Sequence, residues 1–131
     1  MTVTINAVSG TGVVTTSDGS GIVKLQSNSV TTNALAWVSF TGSSGSIRSS
    51  YNVTSVTRNG TGDYTITFTN ALTDANYSAL MSGGNGNTVS VAPVFDIGQA
   101  PTTSTFRALA YLRSTGAATD LTYTNVAIFG N

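Results

Sequence analysis

The side chains able to do chemistry in this chain are few. They are five carboxylates (Asp18, Asp63, Asp74, Asp96 and Asp120), one amine (Lys24) and four guanidiniums (Arg48, Arg58, Arg107 and Arg113); Glu, His and Cys are absent. Without His or Cys, nucleophilic sites of the Ser/His/Asp and Cys/His types are excluded, and the commonest general base and metal ligand is missing. A Ser–Lys dyad would have to use Lys24, which lies in a Ser-rich segment where nothing points to burial of its ammonium. Paired carboxylates would have to come from the five Asp. Asp18-Gly19, Gly62-Asp63 and Thr119-Asp120 are turn or strand-entry contexts, in which Asp bonds to nearby backbone. Asp96, within Val94-Phe95-Asp96-Ile97, reads as a strand-end residue paired with an Arg or with backbone. A glycosidase acid would need a second placed carboxylate beside it. No Asp-x-Asp-x-Asp loop of a calcium site occurs. Gly83-Gly84-Asn85-Gly86-Asn87 superficially has the look of a phosphate-cradling loop, but no Lys accompanies it and no helix follows, so it reads as a β-connection. The expectation is a protein with no catalytic residue, no cofactor and no metal.

What remains for function is binding. Trp37, in Ala36-Trp37-Val38-Ser39-Phe40, is the only Trp. Apolar neighbours on both sides favour a core or interface aromatic, and an exposed sugar-binding Trp is the alternative. A net charge of zero argues against nucleic acid, whose phosphates need clustered Lys and Arg. No apolar run approaches the length of a membrane-spanning helix. Met1-Thr2-Val3-Thr4-Ile5-Asn6 lacks the basic start and long apolar stretch of a signal peptide. Asn52-Val53-Thr54, Asn59-Gly60-Thr61 and Asn76-Tyr77-Ser78 match the glycosylation pattern, as a Thr- and Asn-rich chain does by composition alone.

Elements that could position these residues are β-strands. Gly, Ser, Thr and Asn supply 65 of the 131 residues, and charged residues only 8%. The exposed-helix formers are therefore missing, while Thr favours strands and Gly and Asn favour turns. Disorder is not expected, because apolar residues recur at period two and aromatics are spread along the chain. The predicted strands are Thr2–Val8, Gly12–Thr16, Gly21–Gln26, Ala34–Thr41, Tyr51–Arg58, Asp63–Thr69, Tyr77–Ser82, Thr88–Phe95, Thr105–Leu112 and Leu121–Phe129. Asn59-Gly60-Thr61-Gly62 is the strongest hairpin signal. Beyond it, Tyr64, Ile66 and Phe68 alternate with Thr65, Thr67 and Thr69, the pattern of a half-buried antiparallel strand. Asn70–Asn76 is the one candidate helical turn, and it is too short for a stable helix. The fold class is all-β, an antiparallel β-sandwich or jelly-roll-like domain. Residues 1–33 contain no aromatic and read as an N-terminal arm or accessory hairpin, with the compact domain over 34–131.

Several strands are apolar on both faces, notably Val89–Phe95, Thr105–Leu112 and Leu121–Phe129. In an isolated sandwich the outer face is polar. A second cover is therefore expected, either the arm or another copy of the chain, and low charge leaves little repulsion to oppose self-association.

Residues 34–82 read Ala34-Leu-Ala-Trp37-Val-Ser-Phe40, Ser46-Ile-Arg-Ser-Ser-Tyr51-Asn52-Val53-Thr-Ser-Val, Arg58-Asn-Gly-Thr-Gly-Asp63-Tyr64-Thr-Ile-Thr-Phe68 and Asp74-Ala-Asn-Tyr77. This order resembles a β module of virion structural proteins of tailed bacteriophages, including those of cyanobacteria. Asp120-Leu-Thr-Tyr-Thr-Asn-Val-Ala-Ile-Phe-Gly130 resembles the way such modules end, and Val14–Gln26 a short element that often precedes them. The resemblance implies a structural or adhesive protein with no catalytic residue to transfer. Its usual setting is the end of a long tail fibre. A short chain beginning at a Met suits a capsid cement or decoration protein better, and the resemblance then implies a homotrimer on the major capsid protein at the virion surface. A tail-fibre or receptor-binding module, whose loop tips contact host glycans, is the alternative.

Overall fold

The computed structural model describes residues 26–27, 30–85, 91–95 and 99–130. The strands predicted over Thr2–Val8 and Gly12–Thr16, most of Gly21–Gln26, and the candidates Asp18, Lys24 and Asp96 lie outside the described residues. All regular structure within them is β: β1 (Gln26–Ser27), β2 (Val30–Thr31), β3 (Ala36–Thr41), β4 (Ser46–Tyr51), β5 (Val53–Gly60), β6 (Asp63–Phe68), β7 (Ser78–Gly84), β8 (Val91–Phe95), β9 (Thr105–Leu112) and β10 (Tyr123–Phe129). Segment 70–76 forms no helix and links β6 to β7, as its length requires.

Of the two expected architectures the protein is a β-sandwich. One antiparallel sheet has the order β4-β3-β10-β7 and the other β5-β6-β9-β8, while β1 and β2 pair only with each other. Three hairpins, β3–β4, β5–β6 and β8–β9, stay within a sheet. The first and last strands of the sandwich, β3 and β10, are neighbours at the centre of the first sheet.

Period-two patterning decides which side chains face inward. Ala36, Val38 and Phe40 of β3 and Val126 and Ile128 of β10 are buried, and from the second sheet so are Tyr64, Ile66 and Phe68 of β6 and Phe106, Ala108 and Ala110 of β9. Leu35, Leu72 and Leu121, from the connections, close the ends of the same core. The rings interlock edge to face: Phe40 meets Tyr64 at 5.0 Å between centroids, and Tyr77 bridges Phe68 at 6.0 Å and Phe106 at 6.3 Å. Such T-shaped contacts match the ring quadrupoles and add to the burial term.

The chain crosses from the first sheet to the second at Asn52, whose φ is +53°. Asn is among the few residues that occupy this left-handed region at low cost. Its amide nitrogen donates to the carbonyls of Leu35 and Asn70 at 3.2 Å, and its Oδ1 accepts from the Asn70 amide at 2.8 Å. The corner is thus fixed by one buried side chain. The strand immediately before it, β4, was not expected from sequence. Ser46-Ile47-Arg48-Ser49-Ser50-Tyr51 has a single aliphatic residue and no alternation, because β4 is an edge strand, and a register shift opposite Ser39/Phe40 interrupts its parity.

Candidate functional site

The outward face of the first sheet is built by the same alternation that builds the core. With Ala36, Val38 and Phe40 turned inward, Trp37, Ser39 and Thr41 turn outward. In β10 the outward set is Tyr123, Asn125, Ala127 and Phe129, and in β7 it is Ser78, Leu80 and Ser82. Register then aligns them in rows across the strands. One row runs Tyr51, Trp37, Ala127, Leu80, and the next runs Ser49, Ser39, Asn125, Ser82.

Trp37, Leu80 and Tyr123 are the exposed large hydrophobic residues among the described residues, and all three lie on this face; Leu80 is 63% exposed. The core placement considered for Trp37 is therefore corrected: its ring stands on the outer side, 38% exposed. Between Trp37 and Leu80 the strand contributes only the methyl of Ala127. The small residue between two large ones leaves an open hollow of about 390 Å³ with a mainly apolar lining. On one side its rim is polar, formed by Ser39, Asn125 and Ser82. Asn125 donates from its amide nitrogen to the Ser82 hydroxyl at 3.3 Å. At the far end of the face the Arg48 guanidinium lies over the Tyr123 ring at 4.1 Å, donates to the Thr41 hydroxyl at 3.2 Å and to the Thr122 carbonyl at 2.8 Å. The ring and these acceptors fix the position of the guanidinium.

The densest polar cluster sits elsewhere, where the chain leaving β9 passes the tip of the β5–β6 hairpin. Asp120 accepts from Arg58 Nε (3.1 and 3.2 Å) and a terminal guanidinium nitrogen (2.7 Å), from the Gly62 amide (2.9 Å) and from the Tyr64 hydroxyl (2.8 Å). Burial pushes its carboxyl up, but the hydrogen bonds from Arg58, Gly62 and Tyr64 outweigh burial and hold it below its ordinary value. The Tyr64 hydroxyl is pushed well above its ordinary value, first by burial and then by its bond to Asp120. Asp63 takes a bidentate grip from Arg107, at 2.8 and 2.6 Å, and a third bond from Asn59 at 3.1 Å. The Arg107 bonds are the main cause of its lowered pKa. Both carboxylates take donors from the chain itself and tie the β5–β6 hairpin to β9 and the segment after it, so this cluster is a clasp.

The expectation that these Asp bond to nearby backbone is corrected accordingly. Asp74 does so, accepting from the Asn76 amide at 2.7 Å. Asp63 and Asp120 instead reach Arg107 and Arg58, far away in sequence. The Gly-Thr-Gly-Asp-Tyr run explains itself in these terms. Gly62 has a φ of +68°, and a Cβ there would collide with the backbone of Ala110 and Thr119. Among the described residues, no three Asp side chains gather around a common point that could hold an ion.

Sequence reasoning singled out Trp37 and missed Leu80, Tyr123, Ser39 and Asn125. The available signal was parity. Leu80 is the apolar residue out of phase between Ala79 and Met81, both packed against the core, and Tyr123 and Ala127 are out of phase with Val126 and Ile128. No family model, curated protein or solved structure matches the chain.

Proposed function

We propose that this chain is a bacteriophage virion structural protein that works by binding and not by catalysis. The observation carrying the non-catalytic part is the outer face of the first sheet, on which Trp37, Leu80 and Tyr123 are exposed together. Two of the three described carboxylates, Asp63 and Asp120, are by contrast engaged in ion pairs. Exposed apolar groups gathered on one face mark association surfaces, whereas scattered ones do not. The virion assignment rests on the resemblance described above.

The first reading is a capsid cement or decoration protein, a homotrimer stabilising the head shell on the major capsid protein. A nearly uncharged chain grips through apolar contacts, backbone pairing and hydrogen bonds, and residues 1–33 supply reach by adding strands to a neighbouring sheet edge. Co-sedimentation with undecorated capsids tests it. The intact chain is expected to bind at low and high salt, since screening removes little when few charges contribute, and deletion of residues 1–33 is expected to weaken attachment. Failure of the intact chain to co-sediment contradicts this reading.

The second reading is a tail-fibre or receptor-binding module that holds a host glycan. The specific observation in its favour is the hollow beside Trp37, concave and polar on one rim. Retention of a host surface polysaccharide without capsid binding is the result that selects it.

A further inference from the structure

The hollow between Trp37 and Leu80 has the attributes of a small-ligand site. Its volume of about 390 Å³ falls within the range of roughly 300–1,000 Å³ typical of such sites. It combines an aromatic wall, an aliphatic wall and a flat floor over Ala127 with polar groups confined to one side. Among the described residues the Ser39 hydroxyl and the Asn125 carbonyl oxygen on that side make no hydrogen bond, and the Ser82 hydroxyl accepts from Asn125. The rim therefore offers a hydroxyl donor, an amide acceptor and a second hydroxyl.

Charge narrows the occupant. Among the described residues no charged side chain lines the hollow, and Arg48, the cation on the same face, is held at its far end against Tyr123, Thr41 and Thr122. An anionic ligand in the hollow would meet no counter-charge among its described lining residues. A purely apolar ligand would leave the rim groups unused or strip them of water without compensation. A ligand with one C–H-rich face and one hydroxyl-rich edge uses both parts. Its polarised C–H groups meet the negative face of the indole, and its hydroxyls meet Ser39, Asn125 and Ser82.

We propose that this hollow binds a neutral sugar ring of a polysaccharide, with the apolar face of the pyranose stacked on Trp37 and its hydroxyls bonded to Ser39, Asn125 and Ser82. The proposal rests on the second reading above and relocates the contact from loop tips to a sheet face. Because the ring lies on an open sheet, the polymer can continue past Leu80 in either direction. The site accordingly selects a ring in mid-chain as readily as a terminus.

Trp37 is the only Trp in the chain, so its fluorescence reports this site alone. The experiment titrates the full chain with neutral dextran, mannan and galactan, and with dextran sulfate and polygalacturonate as anionic probes. Emission and retention on the immobilised polymers are followed, with a melting curve for each variant as a control on folding. The expected result is a saturable emission change with at least one neutral polymer, unaffected by high salt and absent with the anionic ones. Trp37→Ala and Asn125→Ala should weaken retention by roughly tenfold or more, as for truncation of an anchor in a binding patch. Trp37→Phe, which keeps a ring, should retain part of the binding, and Thr67→Ala on the opposite sheet should retain all of it. Polysaccharide retention that survives both Trp37→Ala and Asn125→Ala overturns the site while leaving the receptor-binding reading standing. Preference for the anionic polymers overturns the ligand class. Binding of host cells with no retention on any neutral polymer overturns the sugar proposal without removing the receptor-binding role, and binding to neither removes both.

Discussion

The two sheets share one core and finish their outer faces in opposite ways. On the second sheet, outward polar groups are paired within the molecule: Asp63 with Arg107 and Asn59, Asn59 with Thr65, and Thr54 with Thr69. These paired groups recover within the chain what they lose in hydration. On the first sheet the outward row carries Trp37, Ala127 and Leu80, and the adjoining Ser39 hydroxyl makes no hydrogen bond among the described residues. The exposed apolar row leaves part of its surface in water after folding. The surface that Leu80 and Trp37 still expose contributes when something else covers it, at about 25 cal/mol per Å² of apolar surface removed from water. The difference separates what holds the sandwich together from what it presents.

The sharpest test of this division compares one strand's two sides. Phe68, 5% exposed, belongs to the shared core, and Thr67 to the outer face of the second sheet. Phe68→Ala should cost about 3–5 kcal/mol, and Thr67→Ala less than about 1 kcal/mol. Denaturant titration measures both, and equal losses would break the assigned inside and outside.

The clasp comes next in size. Asp120→Ala strands the buried Tyr64 hydroxyl and the Gly62 amide, a loss of about 1–3 kcal/mol from unsatisfied buried groups. Its pH dependence follows from the direction of the shifts. Asp63 and Asp120 both have lowered pKa values when folded. Their contribution is therefore complete above the ordinary value of 3.8 and is lost as pH falls through the lower folded values. The melting temperature of the parent should fall on acidification through that range, and the double variant Asp63→Ala/Asp120→Ala should show a flatter profile. An unchanged profile would remove the clasp from the account of stability.

The smallest effect on folding is expected on the first sheet's outer face. Leu80→Ser removes an exposed apolar side chain and should shift stability by no more than about 0.5 kcal/mol in either direction. If thermal unfolding instead shows a loss of core size, the face is part of the fold's own support and the contrast between the sheets disappears.

How much of this was legible in the sequence depends on parity and range. The alternation of Tyr64, Ile66 and Phe68 with Thr65, Thr67 and Thr69 identified β6 and its buried side, because a period of two needs only local information. β4 was hidden, since Ser46–Tyr51 lacks that period and owes its place to pairing with β3. The role of Asn52 was hidden too: nothing local distinguishes an Asn that turns a corner between sheets from one in a surface loop. The Asp120–Arg58 and Asp63–Arg107 pairs are non-local, so the turn contexts around the two Asp gave the wrong partners. The candidate site was half visible. Trp37 announced itself by type, but the hollow exists only because register sets Ala127 between it and Leu80, and register is a property of the assembled sheet.

The central claim is that the Trp37 face serves binding and not folding, and one comparison tests it most directly. The double variant Trp37→Ala/Leu80→Ser and the parent chain are assayed side by side against undecorated capsids and neutral polysaccharide, with thermal unfolding recorded on the same samples. The account predicts unfolding curves that differ by no more than a few degrees and loss of whichever binding the parent shows. Full binding by a folded double variant would contradict it.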